Sequence, residues 1–205
     1  MKTLVVATRN RGKLEEIRQF LSGLVQNIVC TADFEGFRET IEDGDTFEAN
    51  AIKKAREAMK QTGLPALADD SGLVVDALDG RPGVYSARFA GEKADDFSNN
   101  RKLLEELGKT PMEHRSAAFI CVMAFVAPDG KEEVFQGRIN GRIMNKFRGT
   151  GGFGYDPLFL VDDMNCTMAE LGLEEKNRIS HRGQALANFR EYLFNPEKKL
   201  GGVNV

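Results

Sequence analysis

Residues 66–78 read ALADDSGLVVDAL, an apolar stretch into which Asp69, Asp70, Ser71 and Gly72 are set. Any fold that buries the flanking alanines, leucines and valines must take the two carboxylates inside with them. An uncompensated buried carboxylate is costly, so each aspartate needs a cation, a metal ion or several hydrogen-bond donors. Adjacent strand residues point to opposite sides, so Asp69 and Asp70 cannot both face one site from a regular strand. The stretch therefore reads as two short apolar pieces, with one aspartate or a bend at Ser71-Gly72 serving something other than a sheet. The plainer alternative is a turn in which the aspartates cap nearby N–H groups.

The rest of the chain supplies the elements around it. TLVVA (3–7) reads as a buried strand, and GKLEEIRQFL follows with Leu14, Ile17, Phe20 and Leu21 at helical spacing. Thr46 is an N-cap for FEANAIKKAREAMKQTG, whose Phe47, Ala51, Ile52, Ala55 and Met59 form an apolar stripe. ADDFSNNRKLLEELG reads as a helix beginning at Asp95 or Asp96, and residues 116–139 read as an antiparallel hairpin turning at APDG. DPLFLV is a short strand and SHRGQALANFREYLF a closing helix capped by Ser180. Strands interleaved with helices, plus a hairpin, predict an α/β fold with a mixed sheet in one domain spanning 1–205. The tail, 195–205, is expected to fray.

Composition removes several function classes. The formal net charge is -3, so a global field drawing in nucleic acid or an anionic membrane is excluded, and any polyanion must be held by a local basic cluster. No apolar run approaches the length of about 20 residues that spans a bilayer, and MKTLVVATRN is too short in aliphatics for a signal peptide. Cys30, Cys121 and Cys166 are odd in number and far apart, which reads as free thiols in a reducing, cytoplasmic compartment.

Four further segments carry possible chemistry. Thr8, Arg9, Asn10, Arg11, Gly12 and Lys13 lie between the first strand and first helix, where unpaired N–H groups and the positive helix end suit a phosphate. The pattern is not a Walker A loop, and a polar helix start with a solvated lysine is its plainer reading. Glu42, in ETIEDGDTF, can pair with Asp70 to offer two hard oxygen ligands, the number Mg²⁺ usually takes alongside substrate phosphates. On the next helix, Lys53 is expected to turn toward this acidic site and Lys54 to run outward. TGGFGYDPLF sets Phe153 among glycines, followed by Gly154, Tyr155 and Asp156, which suits either a flat ligand or a tight turn under a core aromatic. Lys176, His181 and Arg182 lie near the start of the last helix, and His181-Arg182 offers donors to a ligand carbonyl; His114 reads as surface.

The segments ATRNRGK, EDGDTFEANA, ALADDSGLVVDALDGRPGVYSARFAG, GTGGFGYDPLF and SHRGQALANF occur in this order over residues 1 to about 193. Together they resemble the inosine/xanthosine triphosphate pyrophosphatase family, housecleaning enzymes that remove deaminated purine nucleotides. The resemblance implies an elongated two-lobed fold around a long mixed sheet with flanking helices, a cleft between the lobes, and a homodimer. It implies Mg²⁺-dependent hydrolysis of ITP, dITP and XTP to the monophosphate and pyrophosphate. Carried over by position, Asp70, Lys13, Asp69 and Lys53 are the catalytic set, and Glu42 and Asp70 the metal ligands. Residues 8–13, Ser71, Phe153, Gly154, Tyr155, Asp156, Lys176, His181 and Arg182 are the substrate-binding set. Phe153 would stack on the purine, and His181 and Arg182 would donate to its 6-oxo group. Two rival readings are a pyrophosphatase for other modified nucleotides and a nucleotide-binding regulator without hydrolysis.

Overall fold

The hydrophobic run at the amino terminus forms strand β1 (Thr3–Ala7), and everything else is laid against it or its neighbours. The structure, a computed structural model, describes residues 1–195; the remainder of the expected frayed tail lies outside the described residues. After β1 come α1 (Arg11–Phe20), β2 (Asn27–Cys30), α2 (Phe47–Thr62) and β3 (Ala66–Val75). The second half holds α3 (Asp96–Leu107), the hairpin β4 (Ser116–Val126) and β5 (Glu132–Ile143), β6 (Phe159–Val161), α4 (Leu173–Ile179) and α5 (His181–Phe194). The six strands form one mixed sheet in the order β2-β1-β3-β4-β5-β6. β1 runs parallel to β2 and β3, while β3, β4, β5 and β6 pair antiparallel in succession.

Several expectations survive in detail and some do not. Thr46 and Ser180 cap their helices, accepting from the N–H of Ala49 and Gly183. The 66–75 segment, expected as two pieces, is one continuous ten-residue strand paired along its whole length with β4. Its carboxylates need no bend because each finds its own partners, one on each side of the sheet. β2 is a strand the apolar pattern does not single out. The basic residues before the last helix belong to a separate short helix, α4, broken from α5 at extended Ser180.

Burial follows the two faces of the sheet. Leu4, Val6, Leu67, Cys121 and Met123 pack under α1 and α5, against Ile17, Leu186, Phe189 and Tyr192. Ala68, Val122 and Ala124 face α2 through Ala51 and Ala55. A second large cluster, with Leu73, Val75, Phe119, Phe159 and Leu103, fills the end of the sheet nearest α3 and β6. Along β3, Asp69, Asp70 and Ser71 stand between Leu67 of the first cluster and Leu73 of the second.

The α5–sheet contact is close enough to exclude a side chain. A Cβ at Gly137 of β5 would strike the backbone carbonyl of His181 and lie 2.8 Å from the Ala185 nitrogen. Neither neighbour is a flexible side-chain end, so strand and helix would have to separate. Gly137→Ala is expected to lower stability by about 2 kcal/mol, read as a lower urea midpoint at unchanged slope.

Candidate active site

The site begins where β1 stops. β1 pairs with β3 only as far as Ala7 opposite Ala68, so Asp69 and Asp70 lie just past its end. A notch beyond the carboxyl end of a strand is where open α/β sheets hold ligands. Strand alternation then separates the two aspartates. Asp69 shares a face with Ser71 and Cys121, toward α1 and α5, and Asp70 points to the α2 side.

Asp69 is enclosed by donors. Its carboxylate takes Lys13 Nζ on one oxygen, with Ser71 Oγ at 3.1 Å on the same oxygen. The other accepts from Arg182 Nε at 2.9 Å and Cys121 Sγ at 3.1 Å. Burial opposes its ionisation, but Arg182 and Lys13 outweigh that and hold the carboxyl well below its usual range. Burial of the Cys121 thiol, with the Asp69 charge beside it, pushes that group well above its usual range, so it stays a neutral donor.

Asp70 has a different setting. Its Oδ2 accepts from Asn50 Nδ2 at 3.0 Å, and Lys54 Nζ lies 3.8 Å from Oδ1. Here burial dominates and the carboxyl is raised above its usual value, with Glu42 adding to the rise. Lys54 also reaches Glu42 Oε1 at 3.0 Å and the Asp69 carbonyl at 2.6 Å. This corrects the expectation for the two lysines. Lys54 is the buried one, whereas Lys53 turns to an exposed pair with Asp43 at 2.6 Å. Position 54 stands three residues after Ala51 and four before Ala58, on the buried face of α2, and position 53 is rotated off it.

The segment before α1 presents what its sequence predicts. Thr8 Oγ1 accepts from the Asn10 N–H and Asn10 Oδ1 from the Lys13 N–H. The N–H groups of Arg11 and Gly12 precede the first helical hydrogen bond, from Leu14 to Asn10, and suit an anion. Thr8, Arg9, Asn10, Lys13, Glu42, Lys54 and Asp69 line one hollow. Arg9 pairs across it with Glu39 at 2.7 Å, both side chains being exposed. Arg11 is exposed on the first turn of α1.

A second hollow shares Asn10 and Lys13 as walls and continues to Ser71, Phe153, Gly154, Tyr155, Asp156, Lys176, His181 and Arg182. The Phe153 ring lies against α1, where a Cβ at Gly12 would come within 2.5 Å of it. Lys176 Nζ and the Arg182 guanidinium stand 4.5 and 5.6 Å from the ring centre. Asp156 accepts from the Phe153 N–H at 2.9 Å and from Lys176 Nζ at 2.6 Å. Tyr155 is buried with its hydroxyl donating to the Ser86 carbonyl at 2.9 Å, a loop-fixing role.

Arg182 differs from its expected part as a free donor. Three of its five N–H groups reach Asp69, Ser71 and Glu16, the last at 2.6 Å. Glu16, which sequence reasoning missed, bridges Arg182 and Lys176 (2.8 Å) while 2% exposed. Its signal was available: Glu16 falls three residues after Lys13 and beside Ile17 on the inward stripe of α1. His181 stacks on Phe119 at 4.9 Å, and its Nδ1 is buried without a hydrogen-bond partner among the described residues. Burial, reinforced by Arg182, holds the imidazole well below its usual range and hence neutral.

The fit to a divalent cation rests on oxygen donors. Glu42 and Asp70 supply two carboxylates with Lys54 already between them, a place where the chain itself calls for positive charge. Among the described residues no group of three or more His, Cys, Asp or Glu could hold a metal ion. Two carboxylates completed by phosphate and water oxygens match Mg²⁺ chemistry.

The neutral His181 makes stability depend on pH. Unfolded histidine takes its proton near pH 6.5, whereas the folded imidazole takes it only at lower pH. Stability is therefore retained above that value and lost as pH falls from it toward the folded pKa, by up to about 1.4 kcal/mol per unit. Urea titrations at falling pH should show this slope in the wild type and a flatter one in His181→Asn.

The sequence pattern of the Ham1 family matches residues 4–192. A dITP/XTP pyrophosphatase from Geobacter sulfurreducens is 59% identical over 193 residues, 94% of this chain and 97% of that protein. A second, from Bacillus cereus, is 46% identical over 203 residues, 98% of each chain. The solved structure of a HAM1 protein from Coxiella burnetii superposes with a TM-score of 0.85 at 44% identity, covering 95% of this chain and 99% of that one. The chain belongs to the Ham1 family.

Proposed function

We propose that this protein is a nucleoside triphosphate pyrophosphatase that hydrolyses non-standard purine nucleotides, dITP, ITP and XTP, to the monophosphate and pyrophosphate. The observation that carries the reading is the joining of two unlike hollows at Asn10 and Lys13. One is lined by Arg9, Lys13, Lys54, Glu42 and Asp69 beside the helix N–H groups; the other is lined by Phe119, Phe153 and Tyr155. A triphosphate with a flat base has the same two halves. The names of the Geobacter and Bacillus relatives support the substrate class.

The opposite settings of Asp69 and Asp70 support a division of labour between them. Asp69, held as an anion by Arg182 and Lys13, serves as a fixed counter-charge that orients Lys13 and Ser71. Asp70, on the other face beside Asn50, Lys54 and Glu42, serves as the base that takes a proton from water. The water oxygen bonds to the α-phosphorus while the bond from that phosphorus to the bridging oxygen breaks, and pyrophosphate leaves. Mg²⁺ held by Glu42 and Asp70, when bound, neutralises phosphate charge and lowers the pKa of the attacking water. Lys13, Lys54 and the Arg11 and Gly12 N–H groups balance the rest. Arg9 exchanges Glu39 for a phosphate oxygen.

In the second hollow the base stacks on Phe153, and His181 Nδ1, without a partner among the described residues, donates to the 6-oxo group. Adenine presents an amino group at that position, and a buried donor left without an acceptor disfavours it. Arg182 supports this readout indirectly by holding Asp69 and Glu16. The free thiols, two of them buried, support a reducing, cytoplasmic setting, and no helix among the described residues is long and apolar enough to cross a membrane. The homodimer rests on family likeness alone.

A panel of nucleoside triphosphates with Mg²⁺ tests the reading: inosine and xanthosine nucleotides should give monophosphate and pyrophosphate, and release of orthophosphate instead would overturn it. Asp70→Asn should lower kcat by about 10³-fold or more while nucleotide still binds; near wild-type turnover would remove Asp70 from the role. Lys54→Met should reduce kcat by at least about tenfold, whereas Lys53→Met should leave it within about twofold.

A further inference from the structure

The first turn of α3 has no role so far, yet its Asp96 and Asn99 border the second hollow and it grips the loop that carries Phe153. Asp96 Oδ2 accepts from the Gly154 N–H at 2.6 Å, and Asn100 Nδ2 donates to the Gly154 carbonyl at 2.7 Å. Residues 96 and 100 are one helical turn apart, so a single face of α3 holds both polar groups of one backbone residue. Other positions of the same helix hold residues 87–90, of which Ala87 lines the hollow. Asn99 accepts from the Ala90 N–H at 2.8 Å and donates to the Ala87 carbonyl at 3.2 Å, and Lys102 Nζ donates to the Phe89 carbonyl at 2.7 Å. Asp95, the residue before, has separate work as the helix N-cap, accepting from the Ser98 N–H at 2.8 Å.

We propose that Asp96 and Asn100 are positioning residues for nucleobase selection, setting where the Phe153 ring stands by fixing Gly154. This rests on the reading that the base stacks on Phe153. Gly154 has a φ of 61° and follows Gly151 and Gly152, so this stretch has wide conformational freedom of its own. A ring carried on such a chain is well placed only where hydrogen bonds remove that freedom. Asp156 secures Phe153 from one side, and the α3 turn secures the next residue from the other. With the second hold lost, the stacking gap widens, the favoured base binds less well, and bases bearing a 2-amino or 6-amino group are excluded less strictly. Among the described residues, the groups proposed to hold the phosphates, on β1, α1, α2 and β3, make no hydrogen bond with the Asp96 or Asn100 side chains, which reach Gly154 instead, so the chemical step is left alone.

The experiment compares wild type, Asp96→Ala, Asp96→Asn and Asp95→Ala for steady-state hydrolysis of ITP, GTP and ATP and for thermal midpoint. Asp96→Ala is expected to raise KM for ITP about tenfold, the factor that matches one charge-assisted hydrogen bond, with kcat within about twofold. The ITP-to-GTP ratio of kcat/KM should fall about fivefold. Asp96→Asn keeps an oxygen that accepts from the Gly154 N–H and should restore most of both quantities. Asp95→Ala should lower the thermal midpoint without moving the ratio. Wild-type KM and preference in Asp96→Ala would overturn the proposal, as would an equal loss of preference in Asp95→Ala. A wild-type enzyme inert toward ITP would overturn the underlying reading, and this inference with it.

Discussion

Asp69 is an anion with no exposed side-chain surface, and the structure around it is organised to keep it one. Lys13 comes from α1, Arg182 from α5, Ser71 from its own strand and the Cys121 thiol from β4. Arg182 in turn requires Glu16, Glu16 requires Lys176, and Lys176 requires Asp156. The result is a buried row of alternating charge, from the phosphate-suited hollow to the ring of Phe153. Such a row adds little net stability compared with well-packed apolar groups, but removing one member strands its neighbours at a cost of about 3–5 kcal/mol. Its value is positional: α1, α4, α5 and the 153–156 loop can occupy only one arrangement that leaves every charge partnered.

Asp70 shows the opposite use of the same strand. One residue away, it faces α2 across the sheet and meets an amide and a more distant lysine instead of two close cations. Period-two alternation thus sends adjacent, chemically identical side chains into unlike surroundings. Because β1 ends at Ala7, that strand covers neither; Asp69 lines the opening and Asp70 turns to α2. One carboxyl is driven down and the other up, a separation suited to a fixed counter-charge beside a proton acceptor. An intact strand, and not a bend, produces this.

How far the sequence speaks varies with the kind of constraint. Helix caps, the hairpin and the strand-to-helix junction at Asn10 are local, and Thr46, Ser180 and Asn10 behave as their side chains dictate. The Lys53–Lys54 reversal was legible as well, since the apolar period of α2 passes through 54. Glu16 sat on a visible stripe but looked like one more helix glutamate until Arg182 and Lys176 were brought to it from beyond residue 170. Arg182 was found as a pocket residue without its acidic and hydroxyl partners, because these are 111 to 166 positions away in the chain. The brace from α3 to Gly154 has no sequence period at all.

By itself, then, the sequence determined that two carboxylates must be taken inside with an apolar stretch, that an anion-suited helix start follows the first strand, and that an aromatic stands on a glycine-rich turn. Those are properties of neighbouring residues, set by side-chain chemistry and backbone period. Which cation answers which carboxylate, which lysine is inside, and what holds the ring in place were decided only when the sheet order brought α1, α2, α3 and α5 around the end of β1. Charge pairing acts through space over a few ångströms, and only the folded chain sets those distances.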